Sequence, residues 1–109
     1  MRRPNLKVLT GALVDKVLIE NGQAAGVQYR RGDGPTQIMR ASREVILSAS
    51  TMQSPAILMR SGIGPAAELR AHGIDVLADA PEVGRNLQEH ASFSTTYFVD
   101  TPTYNTMLG

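Results

Sequence analysis

Short apolar runs separated by turn residues fill the first forty positions. Residues 6–10 and 14–20 carry short aliphatic runs, with Gly11 loosening the path between them. Asn21-Gly22 is a hairpin signal, because both residues tolerate positive φ. Residues 25–31 then alternate as a strand, with Val27 and Tyr29 on one face. Gly32, Asp33, Gly34 and Pro35 mark a second turn, and residues 36–41 return as another strand. The pattern predicts an antiparallel meander over residues 6–41, built from contacts close in sequence.

The pattern changes at residue 44. Val45, Ile46 and Leu47 form a short apolar run suited to a buried central strand, and Ser48 to Gln53 form a polar, small-residue turn. Ser54 is placed to cap a helix whose first turn accepts Pro55, since proline's missing donor costs nothing there. Ile57 and Leu58 face the core of that helix and Arg60 stays outside. Ser61-Gly62-Ile63-Gly64 is the exit turn. A second helix is expected from Pro65 to His72-Gly73, with Leu69 as its main apolar anchor. Both helices are too short to persist without packing against a sheet.

Beyond them, Ile74, Val76 and Ala78 share one face of a brief strand, ended by Pro81 and Gly84. Asn86 to Gln88 suggest a helical turn. Phe93, Thr95, Tyr97 and Val99 alternate as a further strand, and residues 101–109 have too little periodicity to do other than fray. No repeat or low-complexity linker divides the chain. A strand-helix segment over residues 44–90 and the meander read as one folding unit or incomplete domain.

Composition adds bounds. The chain has 109 residues, 42% of them apolar, enough for a modest core or for part of a larger domain. Eleven Lys or Arg against ten Asp or Glu leave a net charge of +1, which gives no argument for nucleic acid or a membrane surface. The pairs Arg2-Arg3 and Arg30-Arg31 read as solvated surface. Cysteine is absent, which excludes disulfides and thiolate ligands and fits a reducing, cytoplasmic setting. The basic start lacks a signal peptide's apolar core, and no apolar run reaches the length of a transmembrane span.

Candidate chemistry is sparse. Gly62-Ile63-Gly64 follows a helix, whereas a dinucleotide loop follows a strand and opens a helix, so the pair reads as turn structure. His72 sits at a helix end, and His72 and His90 stand too far apart for a short metal-ligand motif. No catalytic triad or metal set emerges. Ala49, Ser50 and Thr51 lie just past the carboxyl end of the predicted central strand, a favoured ligand position with small side chains that leave room.

Residues 50–64 read STMQSPAILMRSGIG, preceded by VILSA and followed by PEVGRNLQEH. In that order these segments resemble the second signature of the glucose-methanol-choline (GMC) family of flavoprotein oxidoreductases, over residues 3–90. The resemblance implies an α/β class: part of an FAD/NAD(P)-binding-like domain with an attached antiparallel β-meander, residues 1–109 being an internal piece of it. It implies FAD as cofactor, with the Val14 main chain near adenine and Ala49, Ser50 and Thr51 beside the cofactor. Ser54, Pro55, Ser61, Gly62, Gly64, Asn86 and His90 fall on structural motif positions. No catalytic residue and no metal ligand is implied here.

The implied reaction is hydride transfer from the CH–OH carbon of a small alcohol such as choline to flavin, in a dehydrogenase rather than an oxidase, with the isolated chain inactive. The sequence departs from the family pattern at Ser50, where glycine is frequent, and at Glu89, where aspartate is usual. A different expectation is a non-catalytic protein that self-associates through exposed strand edges as a homo-oligomer.

Overall fold

The computed structural model describes residues 3–104. The expectations for Arg2 and for residues 105–109 fall outside them. Strands β1 (Ala12–Glu20), β2 (Gln23–Arg31) and β3 (Gln37–Arg40) form an antiparallel sheet in the order β1-β2-β3. Asn21 (φ 51°) and Gly22 (φ 76°) both adopt positive φ, as a two-residue hairpin turn matched to strand twist requires. Residues 6–10 form no strand, since no described segment pairs with them.

Two register shifts shape the sheet. Asp15 is an extra residue on β1 between Val14 and Lys16, and Ala25 is one on β2. Each bulge turns backbone groups out of the ladder and bends its strand. The Ala25 carbonyl is taken up by the Ala41 amide at 3.0 Å. At Gly26 a Cβ would collide with the Met39 carbonyl oxygen, so a side chain there would push β3 away.

Helix α1 (Ser50–Arg60) packs on β1. It begins at Ser50, before the expected Ser54 cap, with Ala49 at the N-cap position. Ser54 instead lies within the helix and its hydroxyl accepts the Ala49 amide at 2.9 Å, satisfying a terminal donor from the helical side. Pro55 is therefore interior, and Thr51 loses the amide that would normally bond its carbonyl. The expected central strand at Val45 to Leu47 is unpaired, and Ile46 is 75% exposed. A buried parallel strand needs neighbours on both sides, and the described residues supply none.

After α1 come β4 (Ile63–Gly64), α2 (Ala66–Ala71) and β5 (Ala78–Asp79), with β4 and β5 parallel. The carbonyl of Gly62 accepts the Leu77 and Ala78 amides at 2.8 and 3.1 Å. Both helix ends use glycine in the left-handed region, Gly62 at φ 85° and Gly73 at φ 69°. At α2 the Ile74 amide reaches Leu69 O (2.9 Å) and the Gly73 amide reaches Arg70 O (3.0 Å), a Schellman motif. Leu69 is the anchor expected, 2% exposed.

Three sequence expectations shrink here. The strand read from Ile74 onward is reduced to Ala78–Asp79, residues 86–88 are irregular, and residues 93–99 are unpaired with Phe93, Tyr97, Phe98 and Val99 exposed. Among the described residues no helix is long and apolar enough to cross a membrane.

The buried apolar residues are Val17, Tyr29, Ile57 and Leu69, and Ser61 is buried with them. This core is small for the chain. The accessible surface is 9677 Å², where a compact monomer of this mass exposes about 5,900 Å². The radius of gyration is 21.1 Å, against about 13 Å for a compact chain of this length. The antiparallel sheet, two helices and short parallel pair give the α/β character expected.

Candidate functional site

The outer edge of β1 would expose unpaired backbone groups, and the end of α1 bonds three of them, the Val14 and Asp15 carbonyls and the Val17 amide. Ser61 is buried, and its hydroxyl accepts the Val17 amide at 2.8 Å while donating to Ile57 O at 2.6 Å. One turn of helix and one strand edge are thereby joined through a single oxygen. Arg60, expected to point outward, lies along the same edge. Its Nε donates to the Asp15 carbonyl at 2.7 Å, its NH2 group reaches the Val14 carbonyl at 3.4 Å, and Nε lies 3.4 Å from Asp15 Oδ1. The bulge explains the arrangement, because Asp15 has no register partner on β2, where its carboxylate meets Gln28 Nε2 at 3.3 Å, and its carbonyl is available to the helix.

Beside this contact a cleft of about 430 Å³ opens between the sheet and α1, lined by Val14, Asp15, Tyr29, Arg30, Gln53 and Arg60. The Tyr29 hydroxyl at its wall donates to Gln37 Oε1 at 2.8 Å. A second cleft, about 330 Å³, lies between α1 residues Thr51, Met52, Pro55 and Met59 and the turn from Gly84 to Gln88. Gly84 adopts φ 81°, and a Cβ there would touch Met59 at 3.7 Å, so the turn rests directly on the helix. A third cleft of about 400 Å³ follows β1 from Lys16 to Ile19 and faces Ser61, Gly62 and Asp75.

The residues singled out from sequence are dispersed over these features. Val14 lines the first cleft and Thr51 the second, with α1 between. At 3.6 residues per turn, Gln53 and Arg60 fall on one face of α1, and Met52, Pro55 and Met59 on another. Ala49 is half-buried at the N-cap, and Ser50 is exposed with φ 75°, a left-handed conformation that glycine adopts at no steric cost. Ser54 and Pro55 lie inside α1, Gly62 at its end, and Gly64 in β4. Asn86 (φ 56°) donates to Glu82 Oε2 at 2.9 Å and shares the second cleft. His90 is exposed, with its amide bonded to Glu89 Oε1 at 2.8 Å.

Sequence reading missed Arg60, Gln53 and Tyr29 as cleft residues. The contacts of Arg60 and Ser61 span 44 to 46 positions, beyond any local pattern. Of the groups lining the first cleft, the Arg60 guanidinium and the Tyr29 hydroxyl already hold partners within the chain, and Gln53 adds a carboxamide. Among the described residues no group of acidic, histidine or cysteine side chains is placed to hold a metal ion.

Comparison with known proteins gives a consistent picture. An oxygen-dependent choline dehydrogenase of Sinorhizobium medicae is 55% identical over 93 residues, covering 85% of this chain and 17% of that protein. One from Rhizobium meliloti is 50% identical over the same length, with the same coverage. This chain thus spans about a sixth of these relatives. Among solved structures, an FAD-dependent oxidoreductase from Chaetomium thermophilum superposes with a TM-score of 0.69 at 41% identity, over 72% of this chain and 14% of that one. The formate oxidase of Aspergillus oryzae gives 0.70 at 33% identity, again over 72% and 14%. The pattern of the GMC oxidoreductases matches residues 1–92, and the chain belongs to that family.

Proposed function

We propose that this chain forms part of the flavin-binding domain of a cytoplasmic, FAD-dependent oxidoreductase that acts on the CH–OH group of an alcohol such as choline. The observation that carries this reading is the 55% identity to an oxygen-dependent choline dehydrogenase across 93 residues. Residues 1–109 are one portion of the domain, with residues 6–41 as the meander region that carries β1 to β3 and residues 44–90 as the region that carries both helices. Bound FAD supplies the hydride-accepting chemistry. The chain's part is to bind and orient it.

Val14 and Thr51 border different clefts, with α1 between them. Val14 borders a cleft of small-ligand size, and its main chain would address adenine. Ala49, Ser50 and Thr51 at the start of α1 would pass close to the cofactor, where small side chains and a left-handed backbone permit near approach. Ser54, Pro55, Ser61, Gly62, Gly64, Asn86 and His90 shape the support. No residue here is assigned to catalysis, and the chain alone is expected to turn over no alcohol.

A second reading, self-association without catalysis, draws on a separate observation: Ile46, Phe93, Tyr97 and Phe98 present large apolar side chains to solvent. One experiment separates the two. Flavin fluorescence followed during FAD titration, with sedimentation of the same samples, should show saturable, stoichiometric binding for the flavin reading. A folded, concentration-dependent oligomer that takes up no FAD would instead establish the second.

A further inference from the structure

We propose that Arg60 is a positioning residue for the adenosine half of FAD, acting through the backbone of Val14 and Asp15. This rests on the flavin-domain reading and adds to it a residue that touches no cofactor in that reading. Arg60 is the helical side chain that engages the bulge. Its guanidinium takes the Asp15 carbonyl at 2.7 Å and the Val14 carbonyl at 3.4 Å, and lies 3.4 Å from the exposed Asp15 carboxylate, which also accepts from Gln28 Nε2 at 3.3 Å.

A bulge is one residue out of register, so the strand could return to regular pairing by a local slip that rotates the following peptide groups. Holding the displaced carbonyl from outside the sheet opposes that slip. The planar fork matters, since arginine presents several donors in fixed geometry whereas lysine offers a point charge on a flexible stem. Arg60 and Val14 border the same cleft, so the group that fixes the backbone also forms part of the wall it faces. Ser61 secures the strand further along, at Val17, and leaves the bulge to Arg60.

The test uses the 109-residue chain and its Arg60→Met and Arg60→Lys variants, with folding checked by circular dichroism. Binding of FAD, AMP and flavin mononucleotide is measured for each, and amide exchange is followed at Asp15 and Lys16. Arg60→Met should weaken FAD and AMP about tenfold, as expected for loss of a hydrogen bond from a charged group, leave flavin mononucleotide unchanged, and speed exchange at the bulge. Arg60→Lys should restore part of the loss, and decides the matter if the methionine variant does not fold. Equal weakening of all three ligands, or no weakening of FAD and AMP, overturns the role of Arg60 while the flavin reading stands. A folded parent chain that binds neither FAD nor AMP overturns both.

Discussion

At the scale of single residues, the most consequential atom is the Ser61 hydroxyl oxygen. It has two bonds, one to each element it joins, and its residue is buried. Replacing Ser61 with alanine leaves the Ile57 carbonyl with the Ser61 amide at 3.0 Å, but takes from the buried Val17 amide its acceptor. An orphaned buried donor costs about 2 kcal/mol. Urea unfolding of Ser61→Ala should show that loss with an unchanged slope, and amide exchange at Val17 should accelerate; equal stability of the two chains would contradict the assigned bonds. Residues like this were legible in sequence only as turn formers. Ser61 stood beside Gly62 in a pattern that announces a helix end, and nothing nearby told that its side chain faced a strand 44 positions earlier. Ser50 was legible differently, because its place at a position where glycine is frequent in the resembling family accords with its positive φ.

At the scale of elements, α2 shows how a short helix is held. It has six residues, too few to form alone, and its first amide is met by a side chain from another element: Ala66 N donates to Asp79 Oδ1 at 3.0 Å. The carboxylate also faces the positive end of the helix. Asp79→Ala should cost roughly 1 kcal/mol, and Asp79→Asn, which keeps the acceptor and loses the charge, should recover most of it. Thermal denaturation of the three chains would reveal the order, and an asparagine variant as weak as the alanine one would place the effect in charge rather than in the hydrogen bond. Elements whose signals are local were read well from sequence: the Asn21-Gly22 hairpin, the glycine stops after Ser61 and His72, and the anchor at Leu69. Elements whose existence depends on a distant partner were not. Residues 45–47 and 93–99 have strand composition, but pairing is a property of two segments, and the second is absent from the described residues in each case. The start of α1 was misplaced because serine followed by proline is also what an irregular first turn looks like.

At the scale of the whole molecule, large apolar side chains stay exposed among the described residues. Phe93, Tyr97, Phe98 and Ile46 have no apolar neighbours sufficient to remove them from water, whereas the four buried apolar residues are drawn from the sheet, α1 and α2. The class of the fold was legible because alternation and glycine punctuation are written along the chain. The extent of the core was not, since an apolar residue records a preference for burial without recording whether anything covers it.

The hold of Arg60 and Ser61 on β1 has one more consequence. A sheet with both margins open can propagate, each added copy presenting a fresh margin to the next. This sheet has the middle of one margin, from Val14 to Val17, held by its own helix, which leaves β3 as the freer margin for another strand. Assembly through the sheet is therefore terminating: two copies that meet β3 to β3 use up the freer margins of both. Sedimentation across a range of concentrations should find such association ending at pairs, and Ile38→Lys, which places a charge on β3, should abolish them; growth beyond pairs that depends on β3 would show that the hold on β1 is not maintained.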